Sequence, residues 1–397
     1  MASVVFYFQV HQPFRLRRYT IFDSDTNYFD DWRNEQICRK VSEKCYLPTN
    51  RLILDLIRRH GGRFRVSYSL TGTIIEQLRR WSPEVFDTFR QLAETGCVEF
   101  IAETHYHSLA FLYHRDEFVR QTQMHCDLME KLFGRRPRIF RNTELTYNND
   151  VAQVVSDMGF DAILTEGADH ILGYRSPNFL YRPPNCPSLR MLLKNYRLSD
   201  DIAFRFGNRQ WPEWPLTAEK FAGWVDQING NGYVCNLFMD YETFGEHQWA
   251  DTGIFRFLEA LPDKVLATAK NDFLTVSEAV QRYPVVGEVD VPHMISWADT
   301  ERDLSAWLGN SMQANALHDV YALTEDVLDS GNDALIDDWR KLQTSDHFYY
   351  MCTKWFADGD VHKYFNPYES PYDAYINYMN ILDNVRGRLA ADAQAAR

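Results

Sequence analysis

Val4–Val10, VVFYFQV, is a near-continuous apolar run that stops abruptly at His11-Gln12-Pro13. A run this short, rich in β-branched and aromatic residues, reads as a strand buried on both faces, and strands of that kind belong to parallel sheets. The same pattern recurs down the chain. RFRVSYSL (63–70) leads into Thr71-Gly72, CVEFIAE (97–103) into Thr104-His105-Tyr106-His107, and RIFRN (138–142) into Thr143-Glu144. AILTEG (162–167), RMLLKNYRL (190–198) and YVCNLFM (233–239) follow, the last running directly into Asp240-Tyr241-Glu242. Helical segments separate these runs. Asn50–Arg59 and Pro83–Glu94 carry apolar residues at helical spacing, with Gly96 as a stop; NNDVAQVVSDMGF, from Asn148, opens on capping residues and closes at Gly159. Seven strands alternating with helices predict an α/β chain with both faces of its sheet covered.

Past residue 285 the texture changes. Glu301–Leu317, Tyr321–Leu328, Ala334–Lys341 and Tyr372–Leu389 read as helices without matching strands. The expected organisation is therefore a barrel over residues 1–285 and a helical C-terminal region over 286–397. No low-complexity linker divides them, so the two are expected to pack together, with the tail LAADAQAAR fraying.

Composition removes several classes of function. The 397 residues are 45% apolar and carry a formal charge of −13, which excludes a disordered or fibrous chain and disfavours a nucleic-acid partner. No apolar run is long enough to span a membrane, and the N-terminus lacks the basic region and cleavage site of a signal peptide. Seven scattered cysteines without a C-x-x-C spacing argue against a zinc site or a disulfide framework and for the reducing cytoplasm. The 10 Trp, 22 Tyr and 26 Phe exceed what packing calls for and suit protein interfaces or the apolar faces of sugars.

In alternating strand-helix barrels, reactive side chains collect where strands end. That rule selects His11, Glu99, Glu103, His107, Glu144, Asp240 and Glu242. Asp240 closes an apolar run, where desolvation and a neighbouring negative charge favour the protonated form that a general acid needs. Glu144, in FRNTELTYNND and close to Arg141, has a setting that keeps a carboxylate ionised as a nucleophile. Two carboxyl groups tuned apart are the equipment of glycoside hydrolysis, about 5–5.5 Å apart for retention and about 6.5–9.5 Å for inversion. There is no G-x-S-x-G elbow, phosphate-binding glycine loop, dinucleotide fingerprint or H-E-x-x-H helix. His105-x-His107 has no Asp-rich companion to complete a metal site, so no metal is expected.

These strand-end motifs resemble glycoside hydrolase family 57, most closely its shorter α-amylase-like members, over nearly the whole chain. His11-Gln12-Pro13 is similar to the first family signature and Gly96-Cys97-Val98-Glu99-Phe100 to the second. FRNTEL is similar to the third, MDYETFGEHQW to the fourth and SWADTERDLSAWLGN, from Ser296, to the fifth. Asp346 to Asn380, with HFYYM, DGDVHKYFNPY and SPYDAYINYMN, also looks like the shorter members. The resemblance implies an incomplete (β/α)7 barrel with a C-terminal helical region that closes the site. It also implies retaining action on α-glucans or maltooligosaccharides and no metal or other cofactor in the bond-breaking step. It makes Glu144 the nucleophile, Asp240 the acid/base, and Glu99 and Glu242 substrate-site carboxylates; His11, His107, Trp297 and Asp299 are expected to bind substrate beside them. His247, Trp307 and Trp32 are further candidates. One departure is that Arg141-Asn142-Thr143-Glu144 stands where many members have Trp-x-x-Glu, so an aromatic floor beside the nucleophile must come from elsewhere. Three rivals stand beside the hydrolase: a 4-α-glucanotransferase or branching transglycosylase, a non-catalytic glucan-binding protein, and a barrel metallo-deacetylase. Intact carboxylates at 144 and 240 argue against the second, and the lack of a metal-ligand pattern against the third.

Overall fold

The computed structural model describes residues 2–354 and 365–395, so part of DGDVHKYFNPY and the last two residues of the tail lie outside it. Ten strands are present among the described residues: β1 (Ala2–Val10), β2 (Val66–Leu70), β3 (Val98–Phe100), β4 (Ile139–Arg141), β5 (Ala162–Thr165), β6 (Leu180–Arg182), β7 (Arg190–Leu193), β8 (Val234–Asp240), β9 (Asn271–Phe273) and β10 (Val285–Glu288). All nine residues of β1 are buried, as its double-sided apolar sequence requires.

Parallel ladders run β3-β2-β1-β8 in one sheet and β7-β5-β4 in the other. Single bonds join the two sheets. Beyond β3 the Ala102 N–H donates to Ile139 O at 2.8 Å, and the Arg141 N–H donates to Ala102 O at 2.8 Å. Beyond β7 the Asn195 N–H donates to Asn236 O at 2.9 Å. The result is a ring of seven parallel strands, an α/β barrel of incomplete (β/α)7 type. Its weak seam has a cause. Antiparallel β6 pairs with β7, while the N–H groups of Tyr233 and Val234 both turn to Asn178 O, so the segment leading into β6 separates β7 from the start of β8. Val5, Tyr7, Ile101, Ile139, Leu164, Leu192 and Phe238 fill the interior.

Helices cover the ring, and several sequence signals fall where expected. A helix spans Pro83–Glu94 with Gly96 at φ 68°, and another spans Asn149–Asp157, where the Asn148 side chain accepts from the Val151 N–H at 3.0 Å. Three expectations need correction. RMLLKNYRL is strand only to Leu193, because the Asn195 side chain caps a helix at Tyr196–Ala203. Glu301–Leu317 is two helices, Ser305–Leu308 and Ser311–Ala322, since Asn310 forms a capping box with Gln313 and starts the second afresh. The short strands β6, β9 and β10 were not expected.

Residues after 285 form helices at Thr324–Asp329, Asp333–Lys341, Ser345–Tyr349 and Pro371–Ala395. They share one apolar core with the outer faces of β4, β5 and β7, where Phe140, Ile163 and Met191 meet Trp307, Trp339 and Tyr378. This packing carries the Ser345–Tyr349 helix to the barrel mouth. No helix among the described residues is long and apolar enough to cross a membrane, and all seven cysteines are free.

Candidate active site

Glu144 stands in a tight turn, Thr143–Leu145, directly after β4. The turn is held by the Leu145 N–H to Asn142 O and the Thr146 N–H to Thr143 O, at 3.0 and 2.9 Å. Reciprocal bonds between Tyr147 and Ile295 lay residues 295–297 alongside it, and the Trp297 N–H donates to Glu144 O at 3.2 Å. Trp297 is thereby delivered to the carboxylate. Its indole N–H donates to Oε2 at 2.8 Å, while the Ser345 hydroxyl donates to Oε1 at 3.0 Å. The ring of Trp297 lies against the Arg141 guanidinium, 4.8 Å from its centroid. The aromatic neighbour missing from the sequence around Glu144 thus arrives from the fifth motif.

His107, after β3, links two buried carboxylates. Nδ1–H donates to Glu103 Oε2 at 2.9 Å and Nε2–H to Glu144 Oε1 at 3.2 Å. Burial opposes its charged form, but the hydrogen bonds and charges of Glu103 and Glu144 outweigh that and raise its pKa to about 9, so it is an imidazolium at neutral pH. Burial also opposes ionisation of Glu103; the bond and charge of His107, then Arg141 and His125, still hold it near about 2. Oε1 of Glu103 accepts from Gln9 at 3.0 Å and from the Ser69 hydroxyl, and Arg141 lies 3.8 Å from Oε2. His11 stacks on His107 with 4.0 Å between centroids and pairs with Thr71 Oγ1 and Asp346 Oδ2, each at 3.0 Å. Burial and the charge of His107 push the His11 pKa down against the pull of Asp346. His105 does not share this site. It packs over Gly72, where a Cβ would come within 2.1 Å of its Nε2, and burial, with His125, takes its pKa to about 3.

Asp240 ends β8 and Glu242 follows in the tight turn Tyr241–Thr243. Gly245 closes this loop at φ 113°, where an added Cβ would lie 2.0 Å from Lys44 O, so the fourth motif needs glycine there. Glu242 is buried and accepts from the Tyr46 hydroxyl and, at 3.4 Å, from the Gln12 amide. Burial, then the charge of Asp240, lifts its pKa to about 8. The Asp240–Glu242 pair accordingly retains a proton at neutral pH.

Two cavities adjoin at the mouth, and Glu144, Asp240, His247 and Trp297 line both. His11, His107 and Glu242 line the smaller one, with Asp346 and Gln12. Asp299 and Trp307 line the larger, with Phe204 and the cluster of Lys194, Asp200 and Arg302. Asp299 pairs with Lys354 at 2.9 Å. Two candidates are not brought here. Trp32 is 71% exposed at the start of the Asp31–Val41 helix, and Glu99 lies lower in the barrel, bonded to Ser67 and to the backbone and hydroxyl of Ser277. Ser345 and Asp346 were not anticipated, and no spacing relates them to the motifs they join. His107, Glu144, Leu145, Asp299 and Arg302 are five of the six non-glycine residues with positive φ among the described residues. Strained backbone of this kind, costing about 1–3 kcal/mol per residue, concentrates where side chains must be aimed.

A family model described as Glycosyl hydrolase family 57 matches residues 5–292. A Methanocaldococcus jannaschii protein named "Putative alpha-amylase" is 44% identical over 393 residues, covering 96% of this chain and 83% of that protein. Among solved structures, a GH57-type branching enzyme from Pyrococcus horikoshii superposes with a TM-score of 0.68 at 16% identity, covering 96% of this chain and 88% of that one. The 4-alpha-glucanotransferase from Thermococcus litoralis gives a TM-score of 0.67 at 15% identity over 87% of this chain, which spans 56% of that longer protein. At these identities the two structures bear on the fold alone.

Proposed function

The chain belongs to glycosyl hydrolase family 57 and is a glycoside hydrolase, and from that premise we propose that it cleaves α-1,4-glucans with retention, through a covalent glycosyl-enzyme on Glu144. The observation that carries this reading is that Glu144 and Asp240 stand together at the junction of two cavities that open at the barrel mouth. Asp240 donates its proton to the glycosidic oxygen as Glu144 attacks the anomeric carbon. Asp240 then takes a proton from water, which displaces Glu144. His11, His107 and Glu242 line the cavity for the reacting sugar, and Trp297 lines both cavities. Free thiols at all seven cysteines fit a cytoplasmic enzyme.

Product analysis tests the proposal. Maltooligosaccharides and amylose should be shortened, and products followed by NMR from the first turnover should appear as the α-anomer. Initial β-product would refute retention, and cleavage confined to α-galactosides would refute the substrate class. Lengthening of maltotriose would mean that a sugar hydroxyl replaces water as the acceptor.

The proton held by Asp240 and Glu242 predicts the alkaline limb of the pH profile. Below the raised pKa the pair can supply a proton, and above it cannot, so kcat/KM falls above about pH 8. In Glu242→Gln the mutual repulsion is gone and the limb should move at least about one pH unit towards acid. An unmoved limb would detach Glu242 from the acid.

Trp297→Phe keeps an aromatic face but removes the indole N–H on Glu144 Oε2. That bond aims the carboxylate, and a nucleophile misplaced by about 1 Å loses on the order of 10²-fold in rate, so kcat/KM on maltotriose should fall roughly tenfold to a hundredfold. A change below threefold would show that the bond has no bearing on the reaction.

A further inference from the structure

Glu144 loses its charge when it forms an ester, and this singles out His107 and Glu103. The His107 imidazolium lies between two carboxylates, Glu103 at 2.9 Å and Glu144 at 3.2 Å. Only one of them reacts. During the first step Glu144 passes from carboxylate to neutral ester, which removes half of the negative charge that keeps the imidazolium protonated. Glu103 is fully buried in the barrel, bonded to Gln9 and Ser69 and 3.8 Å from Arg141, and it stays anionic throughout.

We propose that Glu103 is a positioning residue that keeps His107 a cation through the covalent stage, so that His107 Nε2–H assists the departure of the Glu144 carboxylate in the second step. This rests on the covalent reading of Glu144. In that step the water oxygen bonds to the anomeric carbon as the carbon–Glu144 oxygen bond breaks. The electron pair of the broken bond returns to the Glu144 carboxylate, and the water proton passes to Asp240. Negative charge grows on Glu144 beside a fixed cation, which lowers the barrier. In the first step the same cation stabilises the starting carboxylate and gives no such help. Its contribution is therefore confined to the second step.

Other groups around His107 do not replace Glu103. His11, stacked at 4.0 Å, disfavours a second positive charge, and Asp346 pairs with His11 Nε2 at 3.0 Å. Arg141 and His125 face Glu103, the ring Nδ1 of His125 accepting the Glu103 N–H at 3.4 Å. With Glu144 esterified, Glu103 is the anion bonded to His107.

Glu103→Gln preserves shape and removes that charge. With an aryl α-maltotrioside, which makes the first step fast, kcat should drop about tenfold to a hundredfold at pH 8 while kcat/KM, which reports the first step, changes less than threefold. KM falls in parallel, and a burst of about one phenol per enzyme precedes the steady state. The ratio of variant to parent kcat should recover only as pH drops below the ordinary histidine value of about 6.5, because burial opposes the imidazolium once Glu103 no longer supports it. Equal losses in kcat and kcat/KM, with a pH-independent ratio and no burst, would overturn the proposal. His107→Asn, which removes the cation outright, should show the same burst without recovery at low pH; pH-dependent recovery there would also count against it. The covalent premise is checked separately by azide rescue of Glu144→Ala. Failure there removes the premise, whereas success there with no burst in Glu103→Gln defeats this proposal alone.

Discussion

The Glu144→Gln variant should turn over maltotriose at least about 10⁴-fold more slowly than the parent chain, because no other carboxylate can take the place of a nucleophile acting in the transition state. The surroundings of Glu144 sharpen this expectation. His107, Trp297 and Ser345 all present hydrogen-bond donors to it. A carboxylate accepts on both oxygens, but the amide group of glutamine must turn an N–H₂ towards donors. The variant therefore loses chemistry and also about 1–3 kcal/mol of stability, which thermal unfolding would register. Glu144→Ala avoids this conflict and leaves space for an anion. Azide should restore cleavage in it and give the glycosyl azide of inverted configuration. A retained azide, or activity within tenfold of the parent in either variant, would remove Glu144 from the role.

Asp240→Asn should show the second-largest loss, about 10²–10⁴-fold on maltotriose, the range expected for a proton donor. The distinguishing feature is dependence on the leaving group. A nitrophenyl α-maltoside departs without protonation, so its first step should be nearly normal and the glycosyl-enzyme should accumulate. Azide added to Asp240→Ala should then give a product of retained configuration, opposite to the result at position 144. If natural and activated substrates lose activity equally, Asp240 is not the acid.

The ring strands were legible because each is an apolar run ending in polar groups, and burial on both faces leaves little else for such a run to be. β6 was not. Leu180–Arg182 is three residues long, and its place is fixed by pairing with β7 and β10 rather than by its own pattern. Glu99 shows a different limit. Residues 99, 101 and 103 share one face of a strand, so parity puts all three towards the interior, but it does not give depth. At about 3.3 Å per residue, Glu103 lies roughly 13 Å nearer the mouth than Glu99. Glu103 therefore meets His107, and Glu99 meets Ser67 and Ser277. The raised pKa was expected of Asp240, at the apolar end of β8; the structure raises that of Glu242, whose burial among Tyr46 and Gln12 is a tertiary property. Ser345 and Asp346 reach Glu144 and His11 from a helix more than two hundred positions beyond Glu144, a proximity created by packing alone.

The order in which these groups occur along the chain sets when the site can first be complete. Residues 5–292, which identify the family, contain Glu103, His107, Glu144, Asp240 and Glu242, yet the donors from Trp297 and Ser345 and the partner of His11 all lie later. A nascent chain that has completed its ring of strands still lacks two of the donors to the Glu144 carboxylate. The ribosome must pass residue 346 before they can assemble, so synthesis of the barrel alone does not complete the site.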